Sequence, residues 1–125
     1  MSTKLHDVPN NAVLQAALTP RTLSSSINAT AVDFIAGDGR CFALQSVGTL
    51  SGTSPTLAGK IQESADGASW SDVSGAAFAA VTTSDNLQIL SFDRTQRYLR
   101  YVGTVGGTSP SIPVVVLIGE QKKQV

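Results

Sequence analysis

The chain has 125 residues, the length of one domain that buries about two-thirds of the surface its unfolded form would expose. Lysine plus arginine and aspartate plus glutamate each number nine, so the net charge is zero and the positive potential that attracts nucleic acids or anionic membranes is not expected. The single cysteine, Cys41, excludes an internal disulfide. Only 14% of the residues are charged, against about 25% in an average soluble domain, and this favours a subunit with close protein neighbours.

Residues 1–29 are predicted to form an N-terminal arm. They contain Pro9, Pro20 and a run of three serines, with one modest apolar stretch at residues 12–18. That stretch fits either two helical turns or an extended segment lying against a neighbour. The first residues lack the apolar core of a secretory signal, so the chain is expected to be made in the cytoplasm.

From Thr30 onward, short apolar stretches alternate with turn-forming residues, a pattern typical of an all-β domain. Eight strands are predicted, at residues 31–36, 40–49, 56–64, 70–73, 77–82, 87–92, 97–105 and 112–119. Turns are predicted between them, as at residues 37–39, 66–67, 74–75 and 84–86. This spacing predicts a two-sheet antiparallel β-sandwich, jelly-roll-like, over residues 30–120, followed by a polar tail at 121–125.

One eleven-residue segment occurs twice in the chain. Val47–Leu57 and Val102–Ile112 are identical at seven of eleven positions, at a constant offset of 55 residues. In each copy Gly-Thr-Ser-Pro stands between two apolar runs, so each copy is predicted to form the turn of a β-hairpin. Two equivalent hairpins predict approximate internal symmetry.

Alternation along the strands assigns their faces. Phe42 and Leu44 lie on one side of their strand, and the repeat aligns Leu44 with Leu99. Leu99 and Tyr101 are therefore expected to point inward, together with Phe42 and Leu44.

Two other stretches are candidates for contact surfaces. Tyr98 and Arg100 share the side of their strand opposite to Leu99, which is either solvent or a contact surface. Val114–Ile118 is apolar at every position but too short to span a bilayer. We expect this strand to be covered on both sides, by the arm or by another subunit.

Residues suited to enzyme chemistry are sparse. The single histidine, His6, lies in the arm without a defined partner, and no serine stands in a nucleophile-elbow pattern. Glu63, Asp66 and Asp72 flank a predicted turn and could bind calcium, although capping of the turn is the commoner use of such aspartates. The sequence therefore predicts a protein that is not an enzyme and that holds no metal and no cofactor.

The segment Asp66–Val73 contains the single tryptophan. In a domain poor in aromatic residues, Trp70 is expected to fill a position in the core. The alternative is that its ring is exposed and forms a platform on which a ligand binds. Three arginines at 94, 97 and 100 are interpreted as edge charges that discourage aggregation, with stacking on a base or a sugar as the alternative.

Residues 42–120 resemble small structural proteins of tailed bacteriophages and prophages. The resemblance is carried by the two Gly-Thr-Ser-Pro segments, by Gln62–Ser64, by Asp66–Val73 and by Arg97–Arg100. It implies a capsid decoration, or cement, protein located in the virion on the outer surface of the phage head. The partners implied are the major capsid protein and further copies of the chain, with a trimer favoured over a dimer and with no nucleic acid and no membrane.

Six residues are predicted to contact a partner: Val13, Leu14, Leu18, Tyr98, Arg100 and Val115. The first three lie in the arm, the next two on the side of their strand that faces outward, and the last in the apolar strand near the C-terminus.

A second resemblance gives an alternative function. Ser64–Val73 and Arg97–Arg100 are also similar to strands of discoidin-type and related carbohydrate-binding jelly rolls. This implies a carbohydrate-binding or adhesion module of a phage tail or receptor-binding apparatus. The present chain is shorter than most such modules and lacks loops rich in aromatic residues.

Overall fold

The computed structural model describes residues 12–34 and 37–122, with side chains over residues 14–34 and 40–120. It contains eight β-strands: β1 Ala12–Leu23, β2 Ile27–Asn28, β3 Val32–Asp33, β4 Gly37–Val47, β5 Ser51–Ser64, β6 Ser71–Ala77, β7 Asn86–Asp93 and β8 Tyr98–Lys122. All their pairings are antiparallel. The all-β antiparallel class predicted from the sequence is confirmed. Within the described ranges there is no helix, and so none that could cross a membrane.

The 25-residue strand β8 organises the sheet. Its first half pairs with β5 on one edge and with β2 and β3 on the other. Its second half, from Ile112, pairs with β1 on one edge and with β4 on the other. Strands β6 and β7 extend the two ends, which gives the order β6-β5-β8-β4-β7.

The two end strands of this order meet, so the sheet is nearly barrel-shaped. Strand β6 contacts β7. The side chain of Gln88 in β7 also accepts a hydrogen bond from the backbone nitrogen of Ala79 at 2.8 Å and donates one to its carbonyl oxygen at 2.9 Å. The division into two jelly-roll sheets stays a prediction.

The two copies of the sequence repeat do not form hairpin turns, contrary to prediction. Each Gly-Thr-Ser-Pro segment runs within a strand, and the two copies pair with each other, with Thr53 opposite Thr108. Gly52 and Gly107 both have φ of +105°, and the serine two residues further on in each copy has φ of 50° or 49°. The prediction failed because residues that accept positive φ suit an irregularity inside a strand pair as well as a turn. The expected internal symmetry is present as this pair of equivalent irregularities.

Three further predictions about the strands are wrong. Residues 77–82 do not form a strand of their own: Ala77 ends β6 and pairs with Lys60, and beyond it only Val81 forms a bridge, with Leu57. The predicted turn at 74–75 lies inside β6, where Gly75 has φ of +77°, and the predicted turn at 37–39 lies inside β4. Glycine marks a bulge in a strand as readily as the end of one.

Leu99 and Tyr101 are fully buried, as predicted, and belong to a core with Leu57, Ile61, Ile112, Val116 and Ile118. The inward assignment of Phe42 and Leu44 is wrong, because β4 instead buries Cys41, Ala43 and Val47. Just before the second copy of the repeat, Leu99 pairs with Glu63. Shifting this pair by the repeat offset of 55 residues would place Leu44 opposite Ile118, but Leu44 lies opposite Leu117. A slip of one residue exchanges the two faces of a strand.

The described part of the predicted arm lies in the sheet. Residues 12–23 form β1 and not a helix, and they pair with β8 from Ala12 opposite Gln121 to Leu23 opposite Ile112. Of the two alternatives for residues 12–18, the structure contains the extended one, paired with the chain's own last strand. Residues 1–11 and 123–125 lie outside the described residues.

Candidate interaction face

The outer side of β1, β4, β7 and the second half of β8 is apolar. Register places Ala16, Leu117, Leu44 and Ile89 in one row across the four strands. Adjacent rows add further apolar side chains, and the apolar face comprises Leu14, Ala16, Phe42, Leu44, Leu87, Ile89, Val115 and Leu117. Leu87 and Ile89 are each 62% exposed, Leu14 is 59% exposed and Phe42 is 37% exposed.

The apolar face carries no formal charge. The remaining outward positions of its rows are Gly119, Ser46 and Ser91. Charged side chains lie at its ends: Arg40 in β4 lies opposite Asp93 in β7 and forms an exposed ion pair at 3.5 Å, and Arg21 in β1 lines a cavity with Ser46 and Val115. An apolar centre with a polar rim is the usual anatomy of a protein–protein interface.

Phe42 depends on Gly119 for its position on this face. A Cβ atom on Gly119 would lie 2.3 Å from the ring carbons of Phe42, so the ring covers the glycine backbone of β8. Glycine within a strand often marks such a close approach. The ring thereby joins β4 to β8 on the outer side of the sheet.

The outer side of β5, β6 and the first half of β8 is polar, in contrast. The Gln62 side-chain oxygen accepts hydrogen bonds from Arg100 at 2.9 and 2.7 Å, and the Gln62 amide donates to Asp72 at 2.8 Å. Lys60 adds an ion pair with Asp72 at 3.1 Å, and the Arg100 guanidinium lies 4.5 Å from the centre of the Trp70 ring. The hydrogen bond from Gln62, followed by that from Lys60, lowers the pKa of Asp72. We call these five residues the polar ladder.

Tyr98 continues the polar side toward β3. The Arg97 guanidinium lies 5.1 Å from the Tyr98 ring centre and pairs with Asp33 at 2.7 Å. The hydrogen bond with Asp33 raises the pKa of Arg97. Most of the charged groups on this side thus already have a partner within the protein.

Trp70 does not plug the core, and that expectation is wrong. It is partly exposed and stacks on Arg100, while the neighbouring core positions are filled by Val73, Ala76 and Phe78. Arginine over an aromatic ring is a favourable contact that needs no burial.

The three carboxylates considered for calcium bind separate protein groups. Asp66 accepts hydrogen bonds from the backbone nitrogens of Ala68 and Ser69 at 2.9 and 3.1 Å, and chiefly the first of these lowers the pKa of Asp66 to about 2. Glu63 instead accepts from the backbone nitrogen of Thr95 at 2.8 Å. Asp66 therefore caps its turn, and no group of three or more metal-ligating side chains occurs in the part of the chain that the structure describes.

A buried ion pair joins the end of β8 to the β7–β8 connection. Two guanidinium nitrogens of Arg94 donate to the fully buried carboxylate of Glu120, one of them at 3.1 Å, and Cys41 lies 3.4 Å from the same carboxylate. Arg94 also donates to the carbonyl oxygens of Phe34 and Gln96. Sequence reasoning missed this cluster because Glu120 lies 26 residues from Arg94 and 79 residues from Cys41 along the chain.

A second buried polar contact lies inside the sheet. The Tyr101 hydroxyl donates to the side-chain oxygen of Gln45 at 2.6 Å, and the Gln45 amide nitrogen has no hydrogen-bond partner among the described residues. Burial raises the pKa of Tyr101. A Cβ on Gly59 would lie 2.4 Å from both groups, so this glycine makes room for them.

The six predicted contact residues do not lie together. Leu14 and Val115 belong to the apolar face, Tyr98 and Arg100 lie on the polar side, Leu18 is 2% exposed in the core, and Val13 pairs with Glu120. The sequence reasoning missed Phe42, Leu44, Leu87 and Ile89. The run of apolar residues in β7, where Leu90 is inward and Ile89 outward, was the available signal.

This nearly barrel-shaped, antiparallel all-β fold also occurs in solved structures from prophages and a virus. The PBSX exported protein XepA gives a TM-score of 0.60 at 16% identity, with 90% of this chain and 38% of that chain covered. A chain of infectious bursal disease virus, Gx strain, gives 0.57 at 13% identity, covering 91% and 33%. The SPBc2 prophage-derived protein YomS gives 0.52 at 9% identity, covering 88% and 94%.

At these identities the likeness shows the fold alone. The chain spans well under half of the XepA chain but nearly the whole of YomS. No protein-family model and no curated protein matches the chain.

Proposed function

We propose that this protein is a structural component of a phage virion, of the capsid decoration or cement type. It binds the outer surface of the head and stabilises the shell through non-covalent contacts, with the major capsid protein as its partner. The apolar face is the observation that carries the proposal. The largest apolar patch on a soluble monomer usually measures a few hundred Å², as this face does, and such a patch often marks a contact site.

The energy available from this face suits a protein used in many copies. Burying the exposed parts of Leu14, Phe42, Leu87 and Ile89, about 400 Å² in all, contributes about 10 kcal/mol at about 25 cal/mol per Å². Association costs about 4–15 kcal/mol in lost freedom, so one such contact is weak. A protein that binds only the assembled shell still stabilises it by about 2.7 kcal/mol per site at a concentration one hundred times Kd.

Fold and composition support the same proposal. The fold is shared with a prophage-derived protein over 94% of that protein's chain and with a chain of a virus. A charged fraction of 14% and a net charge of zero allow subunits to lie close together without repulsion. In this proposal the two halves of β8 belong to the two layers of a sandwich. The layer with the first half of β8 has a polar outer side, and the layer with the second half has an apolar outer side.

The proposal includes no catalysis, cofactor or metal. The carboxylates of Glu63, Asp66 and Glu120 are each committed to hydrogen bonds that hold a turn or a strand end. The protein would be made in the host cytoplasm and used on the head surface.

Co-sedimentation with purified phage heads tests the proposal. The wild-type protein is expected to pellet with heads and to raise the temperature at which they release DNA. Ile89→Lys places a charge on the apolar face and should weaken head binding at least tenfold. Thr104→Lys, at an exposed position of β8, is the matched control and should bind as the wild type does. A wild-type protein that stays in the supernatant would refute the proposal.

The alternative, a carbohydrate-binding adhesion module, rests on a different observation. Trp70 and Tyr98 lie outside the core, on the polar side, each with a guanidinium over its ring. A glycan array probed with the wild type and with Trp70→Ala separates the two functions. Saccharide binding that the substitution abolishes, in a protein that ignores heads, would favour adhesion.

A further inference from the structure

The apolar face has properties that suit contact between two copies of this chain. It has no charge at any outward position of its rows, so two copies placed face to face bring no like charges together at the centre. Its rim holds the Arg40–Asp93 ion pair at one end and Arg21 at the other. In a twofold contact the same surface of both copies is used, so a rim that carries positive and negative charge can pair opposite charges across the axis.

The shape of the face also suits this contact. Four antiparallel strands present a sheet surface, and two such surfaces pack about 10 Å apart when side chains from each fill gaps in the other. Large side chains on the face alternate with small ones: Phe42 lies beside Gly119 and Ser91, and Leu87 lies opposite Ser46. This alternation provides both the projections and the gaps.

The apolar area of the face is about half of what one partner of a standard interface buries. The exposed apolar parts of the face amount to about 400 Å² by area per side chain. A standard interface buries about 800 Å² per partner, and homodimer interfaces are about 65% apolar. The apolar face therefore supplies the centre of such an interface, and its polar rim supplies the rest.

Resting on the proposed function, we infer that the partner of the apolar face is a second copy of this chain, packed face to face across a twofold axis. The protein is then a dimer before it reaches the head. The two polar ladders lie on the outer sides of the dimer. The head contact then lies outside the apolar face, and because two such contacts act together in the dimer, loss of the pair also weakens head binding.

Molar mass by light scattering, measured without heads at micromolar concentrations, tests this inference. The wild type and Thr104→Lys are expected at twice the 12.9 kDa of the chain, and Ile89→Lys at 12.9 kDa, with a dissociation constant raised at least a hundredfold. Circular dichroism checks that Ile89→Lys is folded, as its 62% exposure predicts.

The other outcomes are informative in different ways. A monomeric wild type whose head binding is lost in Ile89→Lys assigns the face to the capsid protein and overturns the inference while the proposed function stands. A dimer that Ile89→Lys leaves intact, or a trimer, also overturns it. A dimer that dissociates on substitution but never binds heads supports the twofold contact and refutes the proposed function.

Discussion

Gly52 and Gly107 occupy equivalent positions of the sequence repeat, on facing strands, and share a φ of +105°. A Cβ on Gly52 would lie 2.5 Å from the carbonyl oxygen of Ser109, and one on Gly107 would lie 2.6 Å from that of Ser54. Each glycine thus makes room for the backbone of the other copy. This reciprocal contact gives a physical reason for the identity of the repeat at its Gly-Thr-Ser-Pro core.

Replacing either glycine by alanine should destabilise the protein to a similar extent. Gly52→Ala and Gly107→Ala each add backbone strain and a collision with backbone, which together cost about 2–4 kcal/mol. Gly67→Ala is the control, because Gly67 has φ of +77° but open space around it, and it should cost about 1 kcal/mol. Urea unfolding measures all three, and a Gly52→Ala variant no less stable than Gly67→Ala would contradict the account.

Removal of Arg94 should leave the carboxylate of Glu120 buried and without its main partner. Arg94→Met is expected to cost about 3–5 kcal/mol in the free energy of unfolding. Arg97→Met, which breaks the more exposed pair with Asp33, should cost about 1 kcal/mol or less.

A second substitution separates charge burial from packing. Adding Glu120→Gln to Arg94→Met removes the uncompensated charge, so thermal denaturation should show the double variant to be more stable than Arg94→Met alone. A double variant that is less stable would mean that packing by the arginine, and not its charge, holds this end of β8.

The stability of the protein should fall at alkaline pH because of Tyr101. Its pKa is raised above the ordinary value of 10.0, so the neutral phenol is favoured in the folded state. The resulting stabilisation is complete below pH 10 and is lost as the pH rises above that value. In Tyr101→Phe this extra fall should disappear, whereas Tyr98→Phe should retain it.

Ultraviolet absorbance of the phenolate, followed with pH, measures this directly. The Tyr101 signal is expected to appear together with unfolding and not before it. Ionisation of Tyr101 in a fully folded protein near pH 10 would show that the hydroxyl is open to water.

The sequence predicts the all-β class, the inward position of Leu99 and the turn capped by Asp66, because alternation and turn residues are local signals. It does not predict that residues 98–122 form a single strand. Gly107 has a positive φ inside this strand, and without knowledge of the facing strand a glycine at such a position indicates a turn. The face of Leu44 depends on a one-residue slip against β8, and that register is set by tertiary packing.

The candidate face was predictable only in part for the same reason. Leu14 and Val115 were expected to make contacts, but Ile89 and Phe42 join them only through pairings between β7, β4 and β8. The Arg94–Glu120 pair likewise depends on contacts that no local pattern reveals.

Cryo-electron microscopy of phage heads incubated with the purified protein tests the central claim most directly. The account predicts regular density on the outer surface of the head, with Leu87 and Ile89 turned toward a neighbouring protein surface and covered by it. Bare heads, or bound protein whose Leu87 and Ile89 face open solvent, would contradict it.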